Sequence, residues 1–253
     1  MAISRKIYSY RQGDILEIEE NHAGRYGSPG IGRKKKKELT PEQVAAVNRR
    51  NKMKKARRLL LAYFTEKDYF LTLTYRVDAR PPDMEQAKRD FAKAMRKVRE
   101  EYRKRGEELR WIRNIERGTK GAWHVHLVIN AIKETGEILE KVWQHGGIYM
   151  ESLKKNKYYE EDCSQLASYI TKSEKVGKKK EDGSREKPRI SESSYSTSRN
   201  MPLPEPKKEK RIRWKKTLKP KKGYYIAKIY EGINPVTGYK YRYCIMIRLN
   251  RKI

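Results

Sequence analysis

Cysteine, histidine and long apolar runs are all scarce in this chain of 253 residues. The two cysteines, Cys163 and Cys244, lie too far apart for a zinc-binding spacing, and buried reduced thiols fit them better than a single disulfide. No apolar run approaches the roughly 20 residues that a membrane-spanning helix needs. The N-terminus lacks the apolar region of a secretory signal. These absences predict an intracellular, cytoplasmic protein with no membrane partner.

Acidic residues are few relative to basic ones. The chain has 62 Lys and Arg against 32 Asp and Glu, which gives a formal net charge of +30 at pH 7. A charge of this sign and size makes a polyanion the expected partner. Nucleic acid is favoured over a membrane surface because no basic amphipathic helix stands out. Hydrophobic residues make up 36% of the chain, so the core is expected in only part of it.

Changes in composition divide the chain into four segments. Residues 1–39 are polar and end in a run of lysines, which indicates a mobile basic arm with a short strand possible near residues 15–18. Residues 40–175 show regular apolar periodicity and are predicted to form the main domain with a leading helix. Residues 176–222 are rich in Lys, Ser and Pro and are interpreted as a basic linker. Residues 223–253 are predicted to form a C-terminal β-hairpin.

Periodicity within the main domain predicts alternating strands and helices. Apolar residues every three or four positions indicate helices, and β-branched and aromatic runs indicate strands. The predicted elements are a leading helix at 40–63, a strand at 70–75, a helix at 81–105, strands at 109–117 and 122–131, a helix at 137–144, a strand at 148–152, and a helix that Asp162 caps with Gln165 in a capping box. The order β-α-β-β-α-β-α after the leading helix predicts an α+β fold, an antiparallel sheet with helices on one face.

The most informative pattern is a pair of histidines in one predicted strand. His124 and His126 alternate with apolar residues in the segment 123–130. Because alternate residues of a strand point to the same face, both imidazoles face one way while their neighbours face the core. Two imidazoles on one exposed face can chelate a single divalent ion. The pair alone is also consistent with solvent-facing histidines that bind nothing.

Glu116 lies on the preceding predicted strand, which pairs with the histidine strand through a short turn. Cross-strand neighbours come within about 5 Å of each other at their Cβ atoms, so a carboxylate here would complete a site of two histidines and one acid. The mixture of oxygen and nitrogen ligands suits Mn²⁺ or Mg²⁺ acting as a Lewis acid. The alternative is that Glu116 pairs with Arg113, Arg117 or a surface lysine.

Tyr169 and Lys172 form the third element, in a predicted helix. Their spacing of three residues places them on one flank of that helix. A phenol is a poor nucleophile well below its pKa of about 10, and a polarised phosphate with a nearby ammonium would make its attack feasible. Taken alone, the pair is better explained as a boundary tyrosine and a solvated lysine.

Together, the strand Phe70–Tyr75, the His124-Val125-His126 segment preceded by Glu116, and Tyr169-Ile170-Thr171-Lys172 resemble the ordered motifs of HUH-superfamily replication initiators. The similarity is greatest to the rolling-circle replication-associated (Rep) proteins of bacterial phages and plasmids. It covers about residues 66–175. The resemblance implies an RRM-like or ferredoxin-like antiparallel sheet, the HUH endonuclease fold, with the metal on its open face.

The same resemblance implies roles for individual residues. His124, His126 and Glu116 would hold Mn²⁺ or Mg²⁺, and Lys172 would be the lysine of the family's YxxK motif. Tyr169 would attack single-stranded DNA to give a 5′-phosphotyrosine and a free 3′-OH that primes replication. A later attack by that hydroxyl would rejoin the strand without ATP. No Gly-x-x-x-x-Gly-Lys motif is present, so a host helicase and polymerase are expected as partners.

One departure from the family's pattern concerns the number of tyrosines. Initiators with two catalytic tyrosines place them one helical turn apart, but the positions four residues from Tyr169 are Gln165 and Ser173. Tyr158 and Tyr159 precede the predicted helix and are weaker candidates. The sequence therefore predicts a single-tyrosine enzyme, whose termination step needs a second subunit, another nucleophile or water.

Basic and aromatic side chains around these motifs are candidates for binding the DNA backbone and bases. The remaining histidines, His22 in the arm and His145 in a turn, are not assigned as ligands. The candidate DNA contacts are Arg113, Arg117, Lys120 and Trp214.

Two other readings remain open. A non-catalytic nucleic-acid-binding protein on an RRM-like sheet would explain the charge and the tyrosines, but not three chemical elements in order. A transposase or relaxase of the same superfamily would share the site and differ in its flanking modules.

Overall fold

The computed structural model describes residues 2–23, 39–173, 189–234 and 240–249. In chain order the strands and helices are β1 (Ala2–Tyr10), β2 (Ile15–Ala23), α1 (Pro41–Tyr63), β3 (Tyr69–Thr74), α2 (Met84–Lys104), β4 (Trp111–Gly118), β5 (Trp123–Ile129), α3 (Thr135–Val142), β6 (Ile148–Ser152), α4 (Ser164–Ile170), β7 (Ile190–Thr197), β8 (Lys207–Arg211), β9 (Tyr224–Ile233) and β10 (Lys240–Arg248). The chain divides into two compact units. The terminal unit comprises Met1–Asn48 and Pro204–Ile253, and the central unit comprises Arg49–Leu203.

The terminal unit contains a five-stranded antiparallel sheet in the order β8-β1-β2-β10-β9. Its apolar side chains form a small core that includes Leu16, Ile18 and Cys244. Its charged side chains are paired across strands. Glu20, which is 4% exposed, accepts from Arg5 Nε and Arg242 Nη1, each at 3.2 Å.

This sheet corrects two predictions about the ends of the chain. The predicted basic arm is wrong for residues 2–23, which form β1 and β2, and residues 24–38 lie outside the described residues. The predicted linker is wrong for 190–197 and 207–211, which form β7 and β8. Charged residues hid these strands because their ionic partners lie far away in the sequence. The C-terminal hairpin is present as the β9–β10 pair, within the larger sheet.

The central unit contains a second antiparallel sheet in the order β6-β3-β5-β4-β7. Its strands β3 to β6 alternate with α2 and α3 in the predicted β-α-β-β-α-β order, and the predicted α+β fold is confirmed. Helix α2 begins where Asp83 caps it, since its carboxylate accepts from Gln86 N at 2.7 Å. The apolar faces of α2 and α3 pack against β3, β4 and β5 in one core.

Helix α4 is short and closely tied to the preceding loop. The backbone enters it through Cys163 at φ 54°, and Asp162 Oδ1 accepts from Ser164 N at 3.3 Å. The N-cap therefore lies one residue later than predicted, and Gln165 bonds to Glu160 instead of closing a capping box. The predicted buried face is confirmed, since Leu166, Ala167 and Ile170 have no exposed surface.

Both cysteines are buried, and neither is in a disulfide. Within the described ranges, no helix combines the length and the apolar character that crossing a membrane would require.

Candidate active site

The two histidines of β5 lie on one face of the central sheet. In the strand register His124 stands opposite Glu116 of β4, and His126 stands opposite Asn114. Val125 and Leu127, which alternate with them, are buried in the core on the other face. The imidazole ring centroids are 6.3 Å apart, with an angle of 18° between the ring planes. His126 is 8% exposed, and His124 is half-buried.

The carboxylate of Glu116 joins the histidine strand to the end of α4. Its Oε2 lies 3.4 Å from His126 Nε2 and 3.1 Å from Lys172 Nζ. Its Oε1 accepts a hydrogen bond from Asn114 Nδ2 at 2.9 Å. Glu116 is 5% exposed, so these interactions take place largely out of water. The alternative partners, Arg113 and Arg117, form their hydrogen bonds with residues of β7.

Asn114 is a site residue that the sequence analysis missed. It is fully buried, and its Nδ2 donates both to Glu116 and to the carbonyl of Lys172, the latter at 3.1 Å. Its Oδ1 is buried with no hydrogen-bond partner. The available signal was its position two residues before Glu116, because strand alternation places both side chains on the histidine face.

Tyr169 points its hydroxyl at the histidine strand. Its Oη lies 3.3 Å from Nε2 of His126. Its ring stacks on Tyr158, with 4.0 Å between centroids and 18° between planes, and meets Phe70 edge-on at 5.9 Å. Burial is the main cause that raises the pKa of Tyr169 above the ordinary phenol value, and Glu116 and Tyr158 add to it. The free phenol is therefore protonated at neutral pH.

Lys172 lies beside Tyr169, as predicted, but beyond the helix, since α4 ends at Ile170. Its ammonium lies 4.1 Å from the centroid of the Tyr169 ring while it also pairs with Glu116. The stacked ring of Tyr158 and this ammonium are both within about one van der Waals contact of the phenol ring, so they occupy opposite faces of it. The nucleophile candidate is thus held from two sides.

A metal would find suitable donors here, although not in a finished arrangement. Across residues 2–23, 39–173, 189–234 and 240–249, no group of three or more His, Cys, Asp or Glu side chains is arranged to hold a metal ion. Burial and the neighbouring His126 lower the pKa of His124, which favours the neutral imidazole that metals bind. His126 Nδ1 lies 3.2 Å from Thr72 Oγ1, which orients the ring with Nε2 toward Glu116.

The donor set itself fits a divalent cation. Two imidazoles, a buried carboxylate and the unpartnered Asn114 Oδ1 combine the nitrogen and oxygen ligands that suit Mn²⁺ or Mg²⁺. The ammonium of Lys172 is the cation that meets Glu116 in this structure. Metal binding therefore requires the side chains of Glu116 and Lys172 to shift.

The candidate DNA contacts have different fates. Arg113 is 7% exposed and donates to the Ser194 carbonyl at 2.5 Å, a placement that leaves it unable to reach a phosphate. Arg117 is partly exposed and pairs with Glu192, and Lys120 is exposed in the β4–β5 turn. Trp214, in the terminal unit, stacks on His22 at 5.4 Å and lies under Arg242, so its ring is already used in packing.

The histidines that were not assigned as ligands both have structural contacts. His22 belongs to β2, not to an arm, and stacks on Trp214. His145 packs against Tyr75 and Trp143, at 5.5 Å and 5.0 Å between ring centroids.

Comparison with known proteins finds one family. Residues 68–174 match the family model for the replication-associated protein ORF2. No curated protein and no solved structure gives a significant match to the chain. The matched segment runs from the residue before β3 to just beyond Lys172, and it contains Glu116, His124, His126 and Tyr169. The chain therefore carries a replication-associated, Rep-like domain of this family over residues 68–174.

Proposed function

We propose that this protein is a rolling-circle replication initiator that nicks and rejoins single-stranded DNA through Tyr169. The observation that carries the proposal is the convergence of four side chains within the matched segment. The Tyr169 hydroxyl, His126 Nε2, Glu116 Oε2 and Lys172 Nζ are linked by successive distances of 3.3, 3.4 and 3.1 Å.

In the proposed reaction, Tyr169 Oη attacks the phosphorus of a phosphodiester. A bond forms between Oη and phosphorus, the bond from phosphorus to O3′ breaks, and the departing oxygen takes a proton to become a 3′-OH. The 5′ end remains attached as a phosphotyrosine. Attack by a 3′-OH on that ester reverses the step and rejoins the strand, with no other energy source needed.

The chain's own residues address the weakness of a buried phenol as a nucleophile. The Lys172 ammonium, 4.1 Å from the ring centroid, stabilises negative charge as Oη loses its proton. Tyr158 and Phe70 hold the ring, so that its rotation is restricted before attack. Mn²⁺ or Mg²⁺ bound by His124, His126 and Glu116 would supply Lewis-acid polarisation of the scissile phosphate.

The partners follow from the same proposal. Single-stranded DNA is the substrate, and the net charge of +30 favours its capture. A 3′-OH released at the nick would be extended by a host polymerase, with a host helicase separating the strands.

A nicking assay tests the proposal. The full-length protein is incubated with end-labelled single-stranded oligonucleotides of randomised sequence, with Mn²⁺ or with a chelator. We expect metal-dependent cleavage that Tyr169→Phe abolishes and the matched control Tyr158→Phe retains. Metal-independent binding without cleavage would instead establish a non-catalytic single-strand-binding protein.

A further inference from the structure

A second concave surface of the central unit lies on the opposite face of the sheet from the candidate active site. This surface, here called the arginine cavity, has a volume of about 570 Å³ and is formed by the end of α2, the start of β4 and the chain around the end of β7. Trp111 in its wall meets Phe91 of α2 edge-on, with 5.0 Å between ring centroids. The cavity shares no lining residue with the candidate active site.

Three arginines give the cavity its character. Arg99 and Arg103 are one helical turn apart on α2, and Arg199 follows β7. Within the described part of the chain, none of their side chains has an ion pair or a hydrogen bond. Like charges four residues apart on a helix repel each other. An anion bound among them would relieve that repulsion.

The opposite wall is different in charge and holds acceptors. Glu107 and Glu108 also line the cavity, and the Glu108 carboxylate is partly neutralised by Arg110 at 2.9 Å. The wall at the end of β7 is fixed in place, because Ser198 N donates to the Trp111 carbonyl at 2.9 Å and Ser198 Oγ accepts from Trp111 N at 3.2 Å. The cavity is therefore a built surface with cationic, acidic and aromatic parts.

We propose that the arginine cavity binds one nucleotide unit of a DNA strand at a distance from the nick site. Guanidinium groups recognise phosphate through paired hydrogen bonds, which fits Arg99, Arg103 and Arg199. Amino groups of a base are donors, which fits Glu107, and the indole of Trp111 offers an apolar contact. The volume lies within the roughly 300–1,000 Å³ typical of ligand pockets.

This inference rests on the proposed function only in taking DNA as the polymer. It adds a second grip on the strand, on the face of the sheet that bears α2. The same chemistry also suits a free nucleotide, and the experiment separates the two sources.

The first measurement follows the indole N–H signals of the full-length Tyr169→Phe protein by ¹H–¹⁵N NMR. The chain has four tryptophans, so the spectrum is simple, and Trp111→Phe assigns the signal. We expect a single-stranded oligonucleotide to shift the Trp111 signal. A shift with deoxynucleoside monophosphate but none with the oligonucleotide would overturn the DNA assignment in favour of a free nucleotide. No shift with either would overturn the site.

The second measurement compares two variants that lose the same charge. One replaces the cavity arginines by Arg99→Gln, Arg103→Gln and Arg199→Gln. The matched control replaces Lys93, Arg96 and Lys97 by Gln, which are exposed on the same helix and outside the cavity. Both are made in the Tyr169→Phe protein, and affinity for a labelled single-stranded oligonucleotide is measured at several salt concentrations.

We expect the cavity variant to bind at least about tenfold more weakly than the control, with a salt slope smaller by about 2, since each phosphate contact contributes roughly 0.7. Equal weakening in the two variants would show a general charge effect and overturn the site. The readout is binding, so failure of the cavity and failure of the nicking proposal are distinguishable. Wild-type nicking with no Trp111 shift defeats only the cavity, and a Trp111 shift without nicking defeats only the nuclease.

Discussion

The hydroxyl of Tyr169 lies 3.3 Å from Nε2 of His126, although 43 residues separate them in the sequence. The same nitrogen lies 3.4 Å from Glu116 Oε2, and the opposite ring nitrogen lies 3.2 Å from Thr72 Oγ1. His126 therefore joins helix α4, strand β4 and strand β3 at one point. A change at this residue should affect the nucleophile and the candidate metal site together.

The first prediction concerns His126 itself. His126→Ala removes a candidate metal ligand and the contact to Tyr169, so nicking should fall at least about 100-fold. The matched control is His145→Ala, whose ring packs against Tyr75 and Trp143 away from Glu116. Cleavage rates are measured at saturating Mn²⁺. Equal rates for the wild type and His126→Ala would remove His126 from the mechanism.

The second prediction concerns Asn114, which holds Glu116 through its Nδ2. Asn114→Ala should free the carboxylate and lower the affinity for Mn²⁺ by about 10–100-fold, the usual cost of losing a group that orients a metal ligand. Calorimetric titration with Mn²⁺ measures the affinity, and thermal unfolding checks that the variant is folded. Unchanged Mn²⁺ affinity in a folded variant would show that Asn114 does not orient the site.

The third prediction is a pH profile. Burial raises the pKa of Tyr169, so its phenolate is the minor form at neutral pH and the nicking rate should rise as the pH increases from 7 to 9. Lys172→Met removes the ammonium that stabilises the phenolate, so the rising limb should move to higher pH. Lys172→Arg keeps the charge and is the control. A Lys172→Met profile that overlays the wild type would contradict this role.

The fourth prediction concerns stability. Burial raises the pKa of Tyr102 to about 12, and its hydroxyl lies 2.8 Å from the Asn130 carbonyl and 3.0 Å from Thr135 Oγ1. Tyr102→Phe should lower the free energy of unfolding by about 1–2 kcal/mol at pH 7.

The same tyrosine has a pH signature in unfolding. Between pH 10 and 12 the unfolded phenol has lost its proton while the folded one keeps it. Stability contributed by Tyr102 is therefore complete below pH 10 and decreases as the pH rises toward 12. Denaturant unfolding at pH 7 and pH 11 measures both effects. A wild-type decrease no steeper than that of Tyr102→Phe would show that the buried hydroxyl is not responsible.

Local patterns predicted the central unit well. The alternation in β5 and the three- and four-residue spacing of Phe91, Met95 and Val98 in α2 are set by neighbours in the sequence, so both elements could be predicted. The proximity of Glu116 to the histidine strand followed from a short turn between two strands. These local features also fix most of the candidate site.

Features that depend on distant partners could not be predicted. Strand β1 pairs with β8 some 200 residues later, and Arg5 bonds to Glu209 at 3.2 Å. Arg113 was expected at a DNA surface because the sequence gives no sign that β7 would pair with β4 and bury it. The orientation of Lys172 beyond the end of α4 likewise depends on Glu116, which lies on another element.

The most direct test of the account is mass spectrometry of the protein–DNA adduct formed in the presence of Mn²⁺. After digestion by protease and nuclease, we predict a tryptic peptide that carries a nucleotide through the 5′-phosphate on Tyr169. Phosphotyrosine at Tyr158 in place of Tyr169, or cleavage of DNA with no covalent adduct in the wild type, would contradict the assignment of the nucleophile.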